Sequence, residues 1–252
     1  MLNRILKQTY FKLLVFSRTP FLYVTTYFIP VFCFYFFGKN NNLYQLKFEN
    51  QSYVDWYLPI YIVIGNIAIS IFTIGMNLVQ KREKQLYKRI LLTNQKKIES
   101  YASDIVQTII LSIPLTIILI IEAIVFFDFS TSFWKILISV PIIVLTSICS
   151  NIIAHFIFNL ISSSMIASPL QISVFGFSLF ALGIIMPYTI LSDKTMNFIK
   201  MTPYYQLNRF AIMLWNKEVS LGAVNSAVFY LVTFSIILVT STVYIEKLYD
   251  RR

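Results

Sequence analysis

The sequence predicts an all-α membrane protein: six transmembrane helices, an N-terminal interfacial helix, a charged helical loop on the cytoplasmic side and a re-entrant outer segment before the last span. Three observations carry that prediction. Of 252 residues, 57% are hydrophobic and 13% charged, with a mean hydropathy of +0.70, far from the balance of soluble domains. The apolar residues gather into six separated runs, each near the roughly 20 residues that cross the hydrocarbon layer. Barrel-type alternation is absent, so the spans satisfy their backbones as helices.

The chain opens with a basic, amphipathic stretch. Within residues 1–18, Arg4, Lys7 and Arg18 share one helical face while Leu2, Ile5, Leu6, Leu13 and Phe16 lie elsewhere, the pattern of a helix lying in the membrane interface. Cations continue to Arg18 and no small-residue cleavage site follows, so the segment is expected to stay in the mature chain. The spans are expected from Pro20 to Phe37, Tyr57 to Val79, Ile105 to Phe127, Ile136 to Leu160, Pro169 to Leu191 and Val224 to Ile245, in one domain covering 19–252.

Between the second and third spans, the loop 80–104 is densely basic. Leu86, Ile90, Leu91 and Leu92 recur among Lys81, Arg82, Lys84, Lys88 and Arg89, which gives a helix with a narrow apolar stripe inside a cationic face. Such a helix touches lipid headgroups or grips a partner. Six spans put this loop, the N-terminal segment and the tail on one side, and that side holds 14 of the 21 cations. Acidic residues outside the spans divide evenly, so the basic side is read as cytoplasmic, with both termini there. The sequence pI near 9.5 then reflects topology, and nucleic acid is not expected as a partner.

Several chemistries are excluded at this level. Cys33 and Cys149 fall in the first and fourth spans, which suggests neither a disulfide framework nor a thiolate metal site. A single histidine, His155, rules out motifs that need two, and no Gly-rich phosphate loop occurs. No cofactor or metal is expected on this chain.

Polar groups inside the spans are the remaining candidates, because an ionisable side chain in lipid is costly. Glu122 in the third span reads as a route-lining carboxylate or as a hydrogen-bonded glutamate near the outer boundary. In the fourth span, Asn151, His155 and Asn159 recur at intervals of four, on one face with Ser147 and Ser162. That stripe lines a translocation route or bonds across helices as packing. Pro114, Pro141 and Pro187 mark possible kinks. The outer segment 183–222 stays apolar beyond the expected boundary and is broken by Pro187 and Pro203. Its Tyr204, Tyr205, Phe210 and Trp215 suit the headgroup region.

Two motifs, in this order and topology, carry a resemblance to a family. Arg82-Glu83-Lys84 followed by Lys88-Arg89-Ile90-Leu91-Leu92-Thr93 resembles the R-E-x-G-T, Arg, aliphatic pair, Thr pattern of ABC-2 type transporter permeases. Gln85-Leu86 stands where the family has Gly-Thr, and Asn94 where it has Pro or Gly. Gly183 to Pro187 resembles the family's G-x-x-x-P at the outer end of span five, with Pro203 and Arg209 matching a downstream Pro and Arg. The resemblance covers essentially the whole chain.

The resemblance implies a half-transporter whose cytoplasmic loop is a coupling helix seated on a separate ABC ATPase subunit, with ATP and Mg bound by that subunit. Arg82, Glu83, Lys84, Leu86, Tyr87, Arg89 and Leu92 are the implied contacts. A second permease copy or a related permease completes the route, to which Glu122, Asn151 and His155 are assigned. Export of a hydrophobic or amphipathic substrate (peptide, drug or lipid-like) is expected, from a bacterial plasma membrane in view of the many Ile, Asn, Lys and Tyr residues. The alternative is a secondary carrier using Glu122 or His155 as a proton-linked group, but the two halves share no visible repeat.

Overall fold

The computed structural model describes residues 1–39, 53–84, 97–130, 132–186, 188–216 and 221–250, and these are almost entirely helical. Helix α1 spans Leu2–Ser17. Six helices are long and apolar enough to cross a membrane: α2 (Pro20–Lys39), α3 (Tyr53–Glu83), α4 (Lys97–Phe127), α5 (Phe133–Asn159), α6 (Ser164–Ala181) and α9 (Leu221–Asp250, apolar over Val224–Tyr244). Between α6 and α9 lie a short turn at Tyr188–Ile190, α7 (Asp193–Lys200) and α8 (Pro203–Asn216). The chain is a multi-pass membrane protein. Pro187 and most of the expected coupling helix, including Leu86, Tyr87, Arg89 and Leu92, fall outside the described residues.

Helix α3 is the axis of the bundle. It packs against α2, α4, α5, α6 and α8, and 78% of its most apolar stretch is buried, against 50% or less in every other span. Its close approach to α4 depends on Gly65, where a Cβ would stand 2.0 Å from Leu115 Cδ2. Lipid is as apolar as leucine, so such small-residue contacts and polar bonds hold the helices together.

Helix α4 shows the inverse of a soluble helix. Asp104, Gln107, Thr108, Ser112 and Thr116 recur at helical spacing and are buried, while Ile110, Ile113, Ile117, Ile121 and Ile124 face outward. Asp104, Thr108 and Ser112 find partners on α3 and α5, and the isoleucines meet lipid.

Two helices contain wide π turns, Val24–Phe28 in α2 and Ile69–Gly75 in α3. A π turn loosens the backbone ladder. At Ile71 the loosened carbonyl is met by Gln171 of α6, whose amide donates to it at 2.8 Å.

The fifth span ends ten residues earlier than the sequence reading placed it. Gly183 adopts φ 74°, its N–H reaches the Phe180 carbonyl at 3.1 Å and the Ile184 N–H reaches Leu179 at 3.1 Å. This is a Schellman stop, which needs the left-handed residue that glycine supplies. Hydropathy continued through it, because Ile184, Ile185 and Met186, which follow, are apolar.

Helices α7 and α8 are joined by Met201 and Thr202 and pack on each other. Thr202 caps α8, accepting from Tyr205 N–H at 3.3 Å, with Pro203 in the first turn. The joint meets two spans: Tyr230 of α9 donates to the Met201 carbonyl, and Phe177 of α6 contacts Phe198 at 6.4 Å and Tyr204 at 6.2 Å. Tyr230 is about 13 Å along α9 from its start, at 1.5 Å per residue.

Candidate functional site

At the basic end of the bundle, Arg82 and Glu83 close the last turn of α3 and reach the turn between α5 and α6. Arg82 donates to the backbone carbonyl of Asn159 and, at 2.9 Å, to its side-chain oxygen. Glu83 accepts the Ser164 N–H at 3.3 Å. The cation therefore meets the negative C-terminus of α5, and the carboxylate meets the positive N-terminus of α6. Lys84 is exposed beyond them. The base of the charged loop is thus tied to the second turn at this end.

One turn into the bundle lies a buried ionic cluster that the sequence reading did not single out. Lys12 of α1 stands 2.5 Å from Asp104 Oδ1, and His155 Nε2 stands 3.2 Å from Asp104 Oδ2. Lys12 also donates to the Ser100 carbonyl at 3.1 Å and to the Ser103 hydroxyl. Burial lowers the pKa of the Lys12 ammonium; Asp104 opposes that effect and Lys81 adds to it. The cluster docks α1 on α4, with Thr9 and Phe16 buried beneath. Asp104 was legible as a charge at a span's edge; that it begins the polar stripe of α4 was the signal available.

His155 also borders a cavity of about 590 Å³ between α4, α5 and α9, with Tyr101, Asn151 and Val239. Its ring meets Tyr101 edge-on at 4.3 Å. Asn151 bonds inward, donating to Thr108 at 3.0 Å and to the Ser147 carbonyl at 2.7 Å. Deeper, Asn66 of α3 accepts from Ser112 at 2.5 Å and Ser147 at 2.7 Å. The stripe Asn151, His155 and Asn159 therefore binds α5 to α3 and α4 along its length, while His155 and Asn151 also line the cavity.

Glu122 is not part of this group. It lies on α4 about 27 Å from Asp104 at 1.5 Å per residue, in a separate groove against α2. At the same opposite end, Gly183 sits against the Tyr188 ring, and two carbonyls left open by the end of α6 are closed by side chains. Tyr188 donates to Ala181 at 2.7 Å, and Asn208 donates to Leu182 at 3.0 Å. Pro203 and Arg209 are half-buried on α8. Lys135 pairs with Asp55 and lies over the Phe129 ring at 4.5 Å.

Among the described residues no group of His, Cys, Asp and Glu suits a metal ion. A family model described as ABC-2 type transporter matches residues 8–213. No curated protein and no solved structure matches the chain.

Proposed function

The chain belongs to the ABC-2 type transporter family, and on that premise we propose that it is the permease half of an exporter driven by a separate ABC ATPase subunit. As a permease it is a transport component and not itself a catalyst, and its family works as dimers with an ATPase. The proposed second half is another copy or a related permease. ATP and Mg belong to the partner ATPase in this reading.

The observation that carries the reading is the double capping of the α5–α6 turn by Arg82 and Glu83. A loop that moved with an ATPase would pull α3 directly and the α5–α6 turn through these contacts, which is how a small displacement becomes a rearrangement of packed helices. Lys84, Leu86, Tyr87, Arg89 and Leu92, with the exposed carboxylate of Glu83, form the proposed contact surface for the ATPase. The cavity beside His155 and Asn151 supports a route for a hydrophobic or amphipathic substrate, since its walls are mainly aliphatic. The excess of cations at this end supports a cytoplasmic location for both termini, in a bacterial plasma membrane. The family does not favour the secondary-carrier alternative.

The test is a Glu83→Ala, Arg89→Ala double variant. It should reach the membrane normally yet copurify poorly with its ATPase, or stimulate ATP hydrolysis without transport. Wild-type copurification and transport would refute the proposed contact.

A further inference from the structure

Between α2 and α4, toward the end of the bundle opposite the basic one, a groove of about 480 Å³ is walled by Phe28, Phe32, Tyr35, Ile118, Phe126 and Glu122. That volume lies within the range of small-molecule sites, about 300–1,000 Å³. Its wall carboxylate, Glu122, is 6% exposed, and its Oε2 meets no hydrogen-bond partner among the described residues. The rings around it are ordered. Phe28 and Phe32 stack with centroids 5.6 Å apart, and Tyr35 meets Phe126 edge-on at 4.9 Å.

A carboxylate in such surroundings is costly until an opposite charge reaches it. Aromatic faces carry negative potential, so they attract a cation and disfavour an anion. The rim already shows this chemistry, because Lys39 Nζ sits over the Tyr35 ring at 5.0 Å. Phe28 and Phe32 lie further along α2, away from Lys39, and both are largely exposed toward lipid. Entry from the bilayer is therefore open to a molecule with an apolar body.

We propose that this groove binds a lipophilic organic cation, with its charge beside Glu122 and its apolar body on Phe28, Phe32 and Phe126. The proposal narrows the substrate class of the exporter reading and rests on it only for transport. Binding requires no ATPase, so failure of the coupling reading leaves this site standing, and the reverse holds too.

The experiment uses the full chain in nanodiscs of zwitterionic lipid and measures equilibrium binding of tetraphenylphosphonium and, separately, of tetraphenylborate, an anion of matching shape. The wild type should bind the phosphonium saturably and the borate no better than empty discs. Glu122→Gln should weaken phosphonium binding at least about tenfold, the loss of about 1.4 kcal/mol, while Glu122→Asp retains most of it. Phe32→Ala should weaken it about threefold, as the loss of one cation–π face predicts. Wild-type affinity in Glu122→Gln would overturn the proposal, as would equal losses in the Gln and Asp variants, because charge would then not be the cause. Equal binding of the two ions by the wild type would reduce the groove to an acyl-chain slot.

Discussion

Replacing Arg82 by alanine separates two roles that its position at the loop's base allows: an internal tie or a surface for the ATPase. In the structure the guanidinium makes two hydrogen bonds to Asn159, one to the backbone carbonyl and one to the side chain. A bond from a charged donor contributes about 1.5–3 kcal/mol when buried, but Arg82 is half-exposed, so each is discounted toward about 1 kcal/mol. Asn159 is only 2% exposed, and leaving its carbonyl open adds up to about 1 kcal/mol. The expected loss is about 2–3 kcal/mol. For a chain of this length that corresponds to a fall in Tm of roughly 5–10 °C. The assay is thermal unfolding of the purified permease without any ATPase, followed by a thiol-reactive dye in a Cys33→Ser background, since Cys33 is only half-buried whereas Cys149 is free and buried and is uncovered when the bundle opens. Arg82→Lys should fall between, because an ammonium cannot reproduce the two-pronged fork. Glu83→Ala should shift Tm by no more than about 4 °C, as its single bond is long and exposed and carries about 0.3–1 kcal/mol. An unchanged Tm in Arg82→Ala would refute the internal tie and return this residue to the ATPase surface alone.

Three further expectations follow, the first from the distribution of cations and the other two from geometry already described. Single cysteines at Asn41 and Asp193 should react with an impermeant reagent from outside intact cells and one at Lys96 should not; labelling at Lys96 would reverse the orientation. Gly183→Ala should destabilise the protein by about 1–2 kcal/mol, because the position holds φ 74° and a left-handed conformation costs a side-chain residue about that much; an unaltered Tm would contradict the Schellman stop. Asp104→Ala should cost about 3–5 kcal/mol by stranding Lys12 and His155, and α1 should become protease-sensitive before the spans do; protection of α1 equal to wild type would show that its apolar face alone docks it.

The spans were legible because hydrocarbon thickness acts on every residue of a membrane chain. Boundaries were less so. The span around Pro169 was drawn through Leu191, since a hydropathy pattern does not register one glycine turning the backbone at 183. Glu122 and the stripe Asn151, His155, Asn159 stood out as polar groups in lipid, and span order alone set Glu122 near the outer boundary, yet the sequence gives no distance between helices and so could not say which partners each side chain meets. Asp104, Lys12 and Asn66 were missed for a related reason. Each looks ordinary in its own segment and gains its importance from a partner on another helix, 92 residues apart for Lys12 and Asp104.

The bond from Gln171 to the Ile71 carbonyl joins residues 100 positions apart, and this bears on the order of assembly during synthesis. When α3 first enters the bilayer, the Ile71 carbonyl in its π turn lacks the side-chain donor that it has in the finished bundle, and lipid supplies none. The donor arrives only with α6, after α4 and α5 have been made. The central helix of the bundle is thus among the first to be inserted yet gains part of its polar contact late, which keeps α3 dependent on late-synthesised neighbours. A ribosome stalled before Gln171 would hold an α3 that still exchanges partners, and release of the remaining chain would fix it.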